Sequence, residues 1–173
     1  MELKGKKTRG FTLIETVFAA LVITTALLSL LALFGLAAKV AAASRLDTQA
    51  RDQAQQIVES IFAGRNAGSL SFTSIQNVGQ SPSGVFVTGY QPMYKPGVDG
   101  VPGTTDDDTS GLQTDANGNP LTSVQRQISI VPIYQADGVT PYSNVRSVTV
   151  SVQYQILGAT KTYTQTTFIS AYR

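Results

Sequence analysis

The residues that could carry chemistry are few and unevenly placed. Five aspartates, Asp99, Asp106, Asp107, Asp108 and Asp115, fall inside one Gly- and Pro-rich stretch, 95–120. Three adjacent carboxylates repel one another, and a hard cation such as calcium would relieve that repulsion through carboxylate and carbonyl oxygens. The spacing is not that of an EF-hand, because in Asp115-Ala116-Asn117-Gly118-Asn119 the glycine comes two positions early. A solvated acidic loop accounts for the same residues, and both readings stand at this stage. A further carboxylate, Glu15, lies at the start of a long apolar run. An ionised group at the middle of a membrane-spanning helix costs about 2.5–3.5 kcal/mol, so Glu15 needs a partner.

The missing residue types narrow the chemistry further. The chain has no cysteine and no histidine, hence no thiol nucleophile, no imidazole base and no usual zinc or copper ligand set. No catalytic constellation is legible among the remaining carboxylates, Ser, Tyr, Lys and Arg, and the chain reads as a non-enzyme with no cofactor beyond the calcium reading. Without disulfides, an exported domain must rely on its core or on a metal.

The element that positions Glu15 is the apolar run itself. From Thr16 to Ala38 there are 23 consecutive residues without a charge, more than the roughly 18–20 needed to cross a hydrocarbon core as a helix. A basic leader with Lys4, Lys6, Lys7 and Arg9 against the single acid Glu2 precedes it, a bias that keeps the N-terminus cytoplasmic and sends the rest outward. A cleaved secretory signal is the competing reading, with Ala41-Ala42-Ala43-Ser44 as its cut site. The run is too long for the 7–15 apolar residues such a signal carries.

Gly10 stands at the sharp edge between leader and run, followed directly by Phe11. Basic leader, Gly10, Phe11, Thr12-Leu13-Ile14-Glu15 and a long apolar helix together resemble the type IV prepilin superfamily of pilins, minor pilins and type II secretion pseudopilins, over residues 4 to about 38. The resemblance implies that a membrane-embedded prepilin peptidase cuts after Gly10 and methylates the new amine of Phe11. It implies that Glu15 pairs with the N-terminal amine of a neighbouring subunit, and a buried carboxylate beside an ammonium costs far less than one alone. The implied partners are the membrane, other pilins or pseudopilins and an inner-membrane assembly platform. The implied location is the bacterial inner membrane as a single-pass, N-in precursor, then a periplasmic or cell-surface filament. A carboxylate snorkelling to the headgroups is the bland reading of Glu15; it does not account for Gly10-Phe11. Within the superfamily, Gln53-Ala54-Gln55-Gln56-Ile57-Val58-Glu59-Ser60-Ile61 is similar to the helix that follows the membrane segment in the minor-pilin and pseudopilin I type. Loss of residues 1–10 leaves 9 of the 13 basic and 10 of the 11 acidic residues, so the pI of 8.9 says nothing about nucleic acid.

The run should continue as helix. Residues 39–63 contain no Pro and no Gly, and Leu46, Ala50, Ala54, Ile57, Val58, Ile61 and Phe62 recur at steps of three and four on one face. Gly64 and Gly68 should stop it. From Phe11 to Ala63 such a helix would be about 80 Å long. It divides into a half for the membrane or a filament core, 11–38, and an amphipathic half, 39–63, that packs on a domain, with small residues such as Ala37, Ala38 and Ala41 allowing close helix approach. In 64–173 the sequence predicts a first strand over Gly84–Gln91 ended by Pro92, a type I′ hairpin turn at Asn117-Gly118, and a strand at Gln125–Tyr134 with Pro132 at an edge or bulge. Val148, Val150, Val152, Tyr154 and Ile156 alternate with polar residues, and Lys161–Tyr172 should pair with them through a turn at Leu157–Thr160. Helix first and antiparallel strands after gives an α+β, type IV pilin-like domain.

Two functional classes follow. One is a structural subunit of a pilus, secretion or DNA-uptake filament. The other is a membrane-tethered module whose exported domain holds DNA, calcium or a secreted protein. For DNA the sequence offers only scattered basic residues, Lys95, Arg126, Arg146, Lys161 and Arg173, with Tyr94, Tyr142 and Tyr172 near three of them and no basic cluster.

Overall fold

The structure, a computed structural model, describes residues 10–115, 117–156 and 158–172. The leader residues Lys4, Lys6, Lys7 and Arg9, and Leu157 in the expected turn, lie outside them.

One helix, α1 (Leu13–Ala67), runs without interruption. No proline breaks it, and Ala, Leu, Glu and Gln supply good helix formers along most of its length. Its first free amides are met by the Thr12 carbonyl, which accepts from the Glu15 and Thr16 N–H groups at 3.0 and 3.2 Å. Its end comes four residues later than the sequence suggests. Gly64 is buried inside the helix, where a Cβ would come within 2.7 Å of Val101 Cγ2, so that glycine serves close packing. Gly68, at φ +85°, ends the helix in the left-handed region. The Gly64 carbonyl then accepts from the Leu70 N–H and the Ser69 hydroxyl, both at 3.1 Å.

The described residues form two compact units that divide between Ala43 and Ser44. In the second, the helix buries Ala50, Gln53, Ala54, Ile57, Val58, Ile61, Gly64 and Arg65. The stripe is the expected one, except that Leu46 and Phe62 are half-buried and two polar residues, Gln53 and Arg65, join the buried face. Opposite lies a four-stranded antiparallel sheet in the order β1 (Gln91–Pro92), β4 (Val124–Tyr134), β5 (Pro141–Ile156), β6 (Ala159–Ser170). β2 (Tyr94–Lys95) and β3 (Asp108–Leu112) make a separate pair. Alternation in β5 buries Val148, Val150, Val152, Tyr154 and Ile156, and the register sets Ile130, Ile128 and Arg126 of β4 opposite the first three. Tyr154 reaches the helix, its hydroxyl donating to Asp47 Oδ1 at 2.7 Å.

Three strand expectations need correction. Residues 84–90 are not a strand. Phe86 is fully buried, but its segment is threaded between loops, with Phe86 N–H on the Gln76 carbonyl and Val87 N–H on the Gly103 carbonyl. A Cβ at Gly84 would fall 1.8 Å from the Gln76 carbonyl oxygen, and Gly89 takes φ +79°, so glycine geometry displaces strand geometry at both ends. Pairing starts at Gln91, and Pro92 lies within β1 opposite Gln125, on an edge where proline costs no ladder bond. The turn before β4 is wider than type I′: Thr114 bridges Pro120, the Asp115 N–H donates to the Asn119 carbonyl at 2.8 Å, and Gly118 takes the left-handed conformation. Pro132 does sit at an irregularity, a register shift before Tyr134.

Arg126 is 1% exposed and its guanidinium is bonded to Asp107 and to the Tyr94 carbonyl. Removing one member of such a pair strands the other charge in the core, a loss of about 3–5 kcal/mol. Arg126→Ala should therefore lower the unfolding free energy by about that amount in urea denaturation, and a change below about 1 kcal/mol would mean that water reaches the pair.

Candidate functional site

Every described side chain from Gly10 to Ala42 is exposed. Large apolar groups project on all sides of the helix: Phe11, the terminal one, is 82% exposed, and Leu30, the least exposed of those before Val40, is still 47%. The helix is long and apolar enough to cross a membrane near the N-terminus. Its hydroxyls need nothing from outside, because Thr16, Thr24, Thr25 and Ser29 each donate to a carbonyl three or four residues back, at 2.7–2.9 Å. Glu15 differs. It sits in the first turn, where a carboxylate suits the helix dipole, and among the described residues its side chain has neither a hydrogen bond nor an ion pair.

Gly10 is likewise unexplained by the fold. A Cβ there would meet nothing within 4 Å, and its φ is not in the left-handed region. Among the described residues nothing restricts this position to glycine. The structure thus places Gly10, Phe11 and Glu15 together on the exposed tip of one apolar helix.

The five loop aspartates are dispersed over local tasks. Asp99 Oδ1 accepts from the Val101 N–H at 2.8 Å. Asp106 accepts from the Thr104 hydroxyl at 2.6 Å and the Asp99 N–H at 3.2 Å, and a Cβ on the neighbouring Gly97 would collide with it. Asp107 accepts from the Gly103 N–H at 2.8 Å and from Arg126. Asp108 takes the Ser110 N–H and hydroxyl. Asp115 caps the Asn117 and Asn119 amides at 2.9 Å, with Arg45 3.6 Å away. Hydrogen bonds hold three carboxyls below their usual range: from Thr104 at Asp106, from Ser110 at Asp108 and from the Asn119 amide at Asp115. Burial pushes Asp107 up, against the Gly103 amide and Arg126. Among the described residues no three acidic side chains converge as a metal site would require.

Three arginines that composition alone groups with the surface charges are drawn inward. Besides Arg126, Arg65 is buried and donates to the carbonyls of Ala171 and Tyr172 at 2.6 and 3.2 Å. Arg146 donates to the carbonyls of Phe72 and Ile75, both at 2.6 Å. The missed signal was phase, since each stands in register with the apolar residues of its element. No protein-family model, curated protein or solved structure matches the chain.

With its aspartates so engaged, the loop should ignore calcium: about 2 mM is expected to leave the thermal midpoint of the full chain in detergent within about 1 °C. A rise of several degrees that Asp106→Asn abolishes would show that the loop rearranges around the ion.

Proposed function

We propose that this chain is a structural subunit of a type IV pilin-like filament, of the minor pilin or pseudopilin kind, matured by a prepilin peptidase and assembled through its N-terminal helix. The observation that carries the reading is Glu15, a carboxylate without a partner among the described residues, at the start of the exposed apolar half of the helix and five residues after a glycine that no described contact requires. Cleavage behind Gly10 would create an ammonium on Phe11, four residues from Glu15. Within one helix those two groups lie about one turn apart. Between helices staggered by a turn, the ammonium of one subunit would meet the carboxylate of the next, and the pair would specify register in an environment where apolar contacts alone specify little. Before assembly the same helix would hold the precursor in the inner membrane, N-terminus inside, with the basic leader on the cytoplasmic face. The exported domain contributes no catalytic group to this role.

The test is Glu15→Ala in the native host. The variant is expected to accumulate in the membrane at the normal level but to fall at least about tenfold in sheared or co-purified filaments, as loss of a charge pair in a low-dielectric setting demands. Incorporation at the wild-type level would overturn the assembly role.

A further inference from the structure

The end of the sheet nearest the β4–β5 connection holds an open cleft of about 530 Å³, and its lining contains one charged residue, Arg146, and no acid. The guanidinium is fixed in place. Besides its two bonds to loop carbonyls, it lies over the Phe72 ring, 4.4 Å from the centroid. All of these partners are neutral, and among the described residues no carboxylate comes within ion-pair distance of Arg146. A half-buried cation held by neutral groups leaves an uncompensated positive charge in the cleft wall. An immobilised guanidinium is also preorganised for a carboxylate or phosphate.

The remaining lining is of a different character. Tyr134 and Tyr142, 51% and 47% exposed, present aromatic surface on strands that meet at the Tyr134–Pro141 pair. The Gln76 side chain is buried, its amide oxygen accepting from the Arg146 guanidinium and its NH₂ donating to the Pro82 carbonyl at 2.6 Å, so it helps to fix the arginine. Gln80 and Ser143 add an amide and a hydroxyl, and Gln80, whose NH₂ donates to the Ile130 carbonyl at 3.2 Å, keeps its amide oxygen for another donor. One cation, aromatic faces and several neutral donors and acceptors match a ligand with one negative charge, flat C–H faces and many hydroxyls. A nucleic acid strand asks for a groove with a succession of cations along the backbone, and this cleft has one.

We propose that the cleft binds an acidic saccharide, a uronic-acid unit of a polysaccharide, with its carboxylate toward Arg146, its ring against Tyr142 and its hydroxyls on Gln80 and Ser143. The site lies wholly in the exported domain, so it stands or falls independently of the filament reading. Replacing Arg146 would also release the 72–75 loop it holds, so the charge is better removed from the ligand.

Calorimetry on the full chain, in a detergent that carries no sugar, would compare trigalacturonate, its full methyl ester and a thymidylate hexamer. Trigalacturonate is expected to bind saturably. Esterification and Tyr142→Ala should each weaken it about tenfold or more, while the Tyr142→Ala chain keeps the wild-type melting midpoint. No binding of trigalacturonate, equal binding of the ester, indifference to Tyr142→Ala, or tighter binding of the thymidylate hexamer would each overturn the proposal.

Discussion

An apolar surface that runs all the way round a helix is costly to hold in water, and that constraint governs residues 11–38 of this chain. Full burial of a large aliphatic or aromatic side chain contributes about 1.5–3 kcal/mol. From Phe11 to Leu36 such side chains follow one another at intervals of one to four residues, all exposed. Their sum reaches tens of kcal/mol, against a cost of about 2.5–3.5 kcal/mol for carrying one carboxylate into a bilayer. The apolar term wins by an order of magnitude. A helix of this composition that enters a bilayer takes Glu15 with it. Threonine and serine add no comparable cost, because each hydroxyl from Thr16 to Ser29 is already bonded to its own helix.

The second unit solves a different problem: building a core without disulfides. Its solution relies on arginines placed in apolar phase. Arg65 ties the last residues of the chain to the end of the helix, Arg126 anchors the acidic loop through Asp107, and Arg146 holds the turn at Phe72–Ile75. Each clamps irregular backbone onto a regular element, as a disulfide would, with charge-assisted hydrogen bonds in place of the covalent link. Asn77 does the same as a neutral group, donating to the Ile128 carbonyl and accepting from the Ile130 N–H, both at 2.8 Å.

What was legible in the sequence followed from period. The 3.6-residue stripe from Ala50 to Ile61 and the strict alternation in Val148–Ile156 report burial directly, and both elements stand where the pattern puts them. Residues 84–90 misled because Val85, Phe86 and Val87 carry strand propensity, while their backbone partners are loops that no local pattern reveals. Gly64 misled in another way: a glycine next to a stop signal can serve packing, and only the approach of Val101 tells the two uses apart. Composition reports the charge of the acidic loop, yet its aspartates act mainly through hydrogen bonds to amides two to seven residues away, those of Asp99, Asp108 and Asp115 at the two-residue spacing of an Asx turn. Gly10, Phe11 and Glu15, by contrast, are legible in sequence alone, since their side chains make no hydrogen bond or ion pair among the described residues.

The intact mass of the native chain, extracted from the membranes or filaments of its own host, bears most directly on whether Gly10, Phe11 and Glu15 form one processing and assembly device. A chain that begins at an N-methylated Phe11 is the predicted result. A chain that still carries residues 1–10, in cells with an active prepilin peptidase, would contradict it.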